Sequence, residues 1–182
     1  MKFTPTVVDG AFVVALEPHG DDRGSFARAF AVEEFAAHGI PMQVVHANLT
    51  HTRHRGTVRG LHYQVAPARE AKLFRCIRGG IFQVAADVRR DSPTFGRWVG
   101  VELTAANRLA LYAPEGCAAG AQALTDDAEA LYLVSAAYSP EHERGLRWDD
   151  PTFAIAWPLP AAHISDKDLA WPPFRTTSED RT

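Results

Sequence analysis

Apolar and polar positions alternate with a period of two along Val58-Arg59-Gly60-Leu61-His62-Tyr63, the pattern of a half-buried β-strand. That strand is expected over 56–63, and comparable short runs predict others near 42–51, 72–78, 80–88, 97–104, 108–113, 121–125 and 128–137. Gly79-Gly80, Asn107 and Asp126-Asp127 fall between several of these runs and read as hairpin turns. Nearer the N-terminus, Val7-Val8 and the apolar run 12–16 flank the turn dipeptide Asp9-Gly10. A polar loop over 19–24 then leads into a strand over 25–30. The period changes at 31–38, where Val32 and Phe35 lie three apart, Glu33 and Glu34 are acidic and Gly39 follows. These features predict one short helix with an acidic first turn and a glycine beyond its end. Many short strands separated by turns predict an all-β fold, an antiparallel sandwich or barrel. Residues 139–160 are proline-rich and irregular, with short helical turns expected later, and 175–182 read as a loose polar tail behind a single domain over 1–174.

Composition narrows the classes. A chain of 182 residues is long enough to bury one core without disulfides. Its net charge of −3 argues against nucleic-acid and membrane-surface partners, which would call for a basic excess. Cys76 and Cys117 form neither a disulfide framework nor a metal-binding spacing and read as reduced thiols. The N-terminal residues lack the apolar core of a signal peptide, and no apolar run approaches the roughly 20 residues that cross a bilayer. A soluble cytoplasmic protein is expected.

The candidate chemistry centres on the strand quoted first. Alternation places Arg59 and Leu61 on one face, with Gly60 and His62 on the other. A glycine two before a histidine lets a bulky group lie against the backbone beside an imidazole, and a neighbouring cation suits an anionic substrate. The stretch Arg59-Gly60-Leu61-His62-Tyr63-Gln64, followed by Lys72-Leu73, resembles the sugar-nucleotide 3,5-epimerases of the dTDP-4-dehydrorhamnose 3,5-epimerase family. Asp22-Arg23-Gly24-Ser25-Phe26, Ser92-Pro93-Thr94-Phe95-Gly96, Pro114-Glu115-Gly116 and Tyr138-Ser139-Pro140-Glu141 follow in that family's order. So do Trp148-Asp149-Asp150-Pro151, Ile155-Ala156-Trp157-Pro158 and Ser165-Asp166-Lys167-Asp168, so the resemblance runs over nearly the whole chain.

The resemblance implies a jelly roll of the cupin type and the epimerisation of a nucleotide-linked 4-keto-6-deoxy sugar, such as dTDP-4-keto-6-deoxyglucose, at C3, C5 or both. Inverting a centre beside a ketone needs a base on one face, stabilisation of the enolate oxygen and a proton donor on the other face, with no cofactor and no metal. Imidazole, with an ordinary pKa of about 6.5, is the natural base, and His62 supplies it. By resemblance Asp168 orients His62, Lys72 faces the enolate oxygen, and Tyr132 is the acid on the opposite face. Arg23 and Arg59 suit the diphosphate, Phe26 and Tyr138 the base, and Asn48 and Gln64 complete the substrate-binding set. The implied assembly is a homodimer with exchanged N-terminal strands, one of the aromatic groups reaching in from the partner.

The chain departs from the family's pattern at Ala118-Ala119-Gly120-Ala121, where members typically carry Ala-His-Gly-Phe. It thus lacks an enolate-stabilising histidine at Ala119 and a large ring at Ala121. Arg28 stands where an acidic residue is usual and His46 where glutamine is, which bears on the nucleobase. Two other readings follow: a single-centre epimerase acting on a different nucleotide sugar, and a non-catalytic sugar-nucleotide binder with a decayed site. Retention of His62, Lys72, Tyr132 and Asp168 together argues against decay. A metal-dependent cupin oxygenase would need a His-x-His pair, which this sequence does not contain.

Overall fold

The structure, a computed structural model, describes residues 1–174; the polar tail expected over 175–182 lies outside the described residues. The strands are β1 (Lys2–Pro5), β2 (Phe12–Ala15), β3 (His19–Asp21), β4 (Gly24–Phe26), β5 (His46–Thr52), β6 (Val58–Gln64) and β7 (Lys72–Arg78). They continue as β8 (Gly80–Asp87), β9 (Trp98–Thr104), β10 (Ala110–Ala113), β11 (Cys117–Ala123), β12 (Ala128–Val134) and β13 (Glu143–Gly145). Two short helices, α1 (Val32–Ala37) and α2 (Asp166–Leu169), complete the elements. Six strands form one sheet in the order β1-β2-β10-β7-β12-β5, and five form another in the order β13-β6-β11-β8-β9. Every pairing is antiparallel, as in the expected jelly roll.

From β5 to β12 the chain changes sheet at every connection except the one between β8 and β9. This corrects the expectation that Gly79-Gly80, Asn107 and Asp126-Asp127 close hairpins. They join β7 to β8, β9 to β10 and β11 to β12, and each pair lies in different sheets. Local turn chemistry marks a reversal of direction; the pairing partner is chosen by which apolar faces must meet. Two strand predictions also change. The run expected over 25–30 is only the three residues of β4, paired with β3 inside the expected loop. The strand expected over 121–125 begins four residues earlier, in an alanine- and glycine-rich stretch of weak β-propensity that is secured by pairing with β6 on one side and β8 on the other.

Side chains alternate across each strand, so each sheet has one face turned inward. Cys76, Ile81, Ala85, Leu103, Leu111, Ala123, Ala128 and Ala130 meet between the sheets and form the central core. Outside the six-stranded sheet, α1 lays the fully buried Phe35 on Val14, Leu73, Ala110 and Tyr112. Burying that ring contributes roughly 1.5–3 kcal/mol. Gly39, at φ +74°, follows the helix where a left-handed residue is needed. The outer face of the five-stranded sheet is covered by Leu146 and Phe153, from the irregular C-terminal stretch, packed on Leu61, Val84, Ala86 and Ala118. Among the described residues no helix is long and apolar enough to cross a membrane. The central core does not fill the space between the sheets, and a cavity of about 570 Å³ opens beside it.

Candidate active site

The cavity is bounded on one side by β6, β8 and β11, on the other by β5, β7 and β12, and at its rim by residues 163–168. Its shape depends on a bulge in β6. Ala119 pairs with His62 but Ala121 pairs with Arg59, so three steps along β6 match two along β11. The extra residue inverts the alternation. Arg59 and His62 both face the cavity, while Leu61 is buried on the outer side against Val84 and Ala118. The expected grouping of Arg59 with Leu61 is therefore corrected. So is the expected use of Gly60: what lies against it is β11 of the same chain. A Cβ on Gly60 would come within 2.7 Å of the Ala119 carbonyl oxygen and 2.9 Å of Gly120 Cα.

His62 Nε2 lies 2.5 Å from Asp168 Oδ1, a contact spanning 106 residues of sequence. Asp168 is only 4% exposed, and its second oxygen accepts from the Gly60 N–H at 3.2 Å. Ser165 caps α2 by accepting from the Asp168 N–H, which fixes the carboxylate's position on the helix. Burial pushes the Asp168 carboxyl upward. The hydrogen bond and charge of His62, with the Gly60 and Ser165 contacts, outweigh it and hold the group below the ordinary carboxylate range. Trp171 meets the His62 ring edge-on at 6.3 Å and lies over Gly145, the backbone partner of His62 on β13. Since Asp168 holds Nε2, the nitrogen left to face a substrate is Nδ1.

Across the cavity, Tyr132 stacks on Phe74 at 5.3 Å and pairs with Asn48, which is on the inward face of β5 with Thr50 and Thr52. Burial, and then the charge of Glu70, push the Tyr132 phenol above its ordinary value, with Arg59 pulling the other way. Lys72 is a diagonal neighbour of Tyr132 on β7, its ammonium 2.7 Å from a Glu70 carboxylate oxygen. Arg59 reaches over the rim, donating from Nε to Thr52 and from Nη2 to the His51 carbonyl. The cavity thus presents an oriented imidazole on one sheet and a phenol with an ammonium on the other.

A family model described as dTDP-4-dehydrorhamnose 3,5-epimerase matches residues 5–176. The chain belongs to the dTDP-4-dehydrorhamnose 3,5-epimerase family. It is 43% identical over 170 residues to the Shigella flexneri dTDP-4-dehydrorhamnose 3,5-epimerase, covering 93% of each chain. The crystal structure of the Elizabethkingia anophelis dTDP-4-dehydrorhamnose 3,5-epimerase superimposes with a TM-score of 0.93 at 32% identity, over 96% of both chains. That of the Bacillus anthracis dTDP-4-dehydrorhamnose 3,5-epimerase, with TDP and PPi bound, gives a TM-score of 0.91 at 35% identity over 95% of this chain and 99% of the other. Membership of this epimerase family places the chain among the isomerases.

Of the residues singled out in the sequence, His62, Lys72, Tyr132, Asp168 and Arg59 come together at the cavity, with Asn48 on the same inward face. Tyr138 is exposed and does not line the cavity; its hydroxyl donates to Glu143, which also holds the cavity-lining Lys167. Gln64 does not join them. It is 2% exposed, its Nε2 donates to the Ala68 and Ala137 carbonyls, and its Oε1 accepts from the Ser139 N–H. In this structure Gln64 ties two loops together. Arg23 and Phe26 are also elsewhere, on the β3–β4 hairpin; Arg23 is paired with Asp21, and Phe26 lines a separate hollow with Met1, Glu17, His19, Arg28 and Glu34. Glu70, Lys167 and Gln83 were missed. Glu70 and Lys72 share the i, i+2 spacing that puts two residues on one side of an extended chain, which was a usable signal.

Proposed function

We propose that the chain epimerises a nucleotide-linked 4-keto-6-deoxy sugar of the dTDP-4-keto-6-deoxyglucose type. The observation that carries this reading is the placement of His62 and Tyr132 on opposing sheets, facing one cavity from its two sides. A sugar ring held between them meets a base on one face and an acid on the other. His62 Nδ1 removes a proton from the carbon beside the ketone, and the buried Asp168 carboxylate steadies the imidazolium. Lys72 donates to the oxygen that becomes the enolate. Tyr132 then returns a proton to the same carbon on the opposite face, and solvent resets both groups. Ala119, the cross-strand partner of His62, offers the enolate no hydrogen bond, so that charge falls to Lys72. The free donors of Arg59 at the rim suit the diphosphate.

The site is completed by a second copy of the chain, whose β3–β4 hairpin brings Arg23 and Phe26 to the diphosphate and the base. Buried, unpaired Cys76 and Cys117 fit a reducing, cytoplasmic setting.

The test is solvent exchange. In D₂O the wild-type chain incorporates deuterium into dTDP-4-keto-6-deoxyglucose, and NMR locates it at C3, C5 or both. His62→Ala abolishes incorporation at every position the wild type labels. Exchange that survives this change near the wild-type rate would mean another group is the base. Tight binding without exchange by the wild type would instead identify a sugar-nucleotide binder.

A further inference from the structure

The cavity has two unlike parts. Phe74, Ile81, Ala121, Ala123, Ala128 and Ala130 wall the part adjoining the central core, with Thr50, Thr52, Thr57 and Arg59 beside them, while His62, Lys72, Tyr132 and Asp168 lie toward its other part. Gln83 is set among these apolar residues, next to Ile81 on the inward face of β8 and opposite Ala121 of β11. It is 1% exposed. Its Nε2 donates to the Gly120 carbonyl at 2.9 Å and, more weakly, to the Val84 carbonyl at 3.4 Å. Turning the amide over would set its oxygen against the Gly120 oxygen, acceptor against acceptor, so the orientation is chemically fixed.

Its Oε1 has no hydrogen-bond partner among the described residues. Nor is it sealed from the cavity: the buried, unpartnered side-chain polar atoms among those residues are the indole nitrogens of Trp148 and Trp171. Two other buried glutamines show the contrast. Gln64 and Gln122 each engage both ends of the amide with backbone groups. Gln83 instead keeps an acceptor that no protein group uses and that faces the cavity, where a ligand donor can replace water.

We propose that Gln83 Oε1 accepts a hydrogen bond from one hydroxyl of the sugar ring and so determines which sugars the chain takes. This rests on the sugar-nucleotide reading and deepens it. The ring enters with one hydroxyl toward Gln83.

Calorimetric titration of the full chain tests this, using dTDP, dTDP-6-deoxyglucose and its 2-deoxy and 3-deoxy analogues, none of which needs to react. Gln83→Met keeps the side chain's length and removes the acceptor. It weakens dTDP-6-deoxyglucose by roughly ten- to a hundred-fold and leaves dTDP within about two-fold. On the wild type, one of the two hydroxyl deletions costs a similar factor, and that analogue is insensitive to Gln83→Met. Equal affinity of dTDP-6-deoxyglucose for wild type and variant overturns the proposal, as does parallel loss of dTDP, which marks a structural role. If Gln83→Met does not fold, the wild-type series decides alone: unchanged affinity on both deletions overturns the proposal. Failure of the epimerase reading is separately visible, as selective binding by a wild type that exchanges no deuterium.

Discussion

Tyr132 shows how the surroundings of one side chain prepare it for one task. A phenol that must arrive protonated gains from burial, which disfavours the phenolate, and the nearby Glu70 carboxylate acts in the same direction. Raised above its ordinary value of 10.0, the group keeps its proton across the neutral range. Asp168 is biased oppositely, held below 3.8, so it is an anion wherever the imidazole works. The expected alkaline limit set by Tyr132 therefore lies above about pH 10. Tyr132→Phe should cut inversion at the reacting carbon by roughly 10²–10⁴-fold and remove that limit, while deuterium can still enter on the His62 face. Epimerisation rates followed by NMR from neutral to strongly alkaline pH, in wild type and variant, check both points. A limb that survives in Tyr132→Phe belongs to another group, Lys72 being the first candidate.

The β6–β11 pair is the element on which the site's geometry depends, and Gly60 is the position that permits its bulge. Its φ of +98° is unfavourable for any residue with a Cβ, and that Cβ would press on two backbone atoms of β11, which cannot rotate away. Gly60→Ala should cost at least roughly 2 kcal/mol from backbone strain and overpacking. In a domain of this size that lowers the melting temperature by about 4 °C or more, and the displaced strand carries His62 away from Asp168. An unchanged melting temperature and exchange rate would show that β6 accommodates the substitution. The sequence made the strands legible because alternation is a local signal. It did not show the bulge, since two residues opposite one leave the composition unchanged, and so Arg59 was grouped with Leu61 when it shares the face of His62. Asp168, 106 residues from His62, came from motif resemblance, because spacing along a chain does not report a contact at that distance.

At the scale of the whole molecule, two observations point the same way. Leu49 and Leu131 are direct cross-strand partners on the outer face of the six-stranded sheet, and they remain exposed with Ile77 on β7, the strand next to Leu131's, beyond the part that α1 covers. Contiguous apolar exposure of this kind marks an interaction surface. Meanwhile Phe26, 71% exposed, and Arg23 stand on a hairpin that lines none of the chain's own large cavity. A two-fold dimer built on the exposed sheet face would resolve both, and the expected particle mass is then twice 19.9 kDa. The decisive measurement is complementation. Arg23→Ala and His62→Ala dimers should each be impaired in deuterium exchange. Mixed and allowed to exchange subunits, they form hybrids in which the site keeping His62 receives an intact Arg23 from its partner. Half the dimers are then hybrids with one competent site in two, so recovery should approach about a quarter of the wild-type rate. If Arg23 served its own chain's site, both sites of every hybrid would remain defective, and mixing would restore nothing.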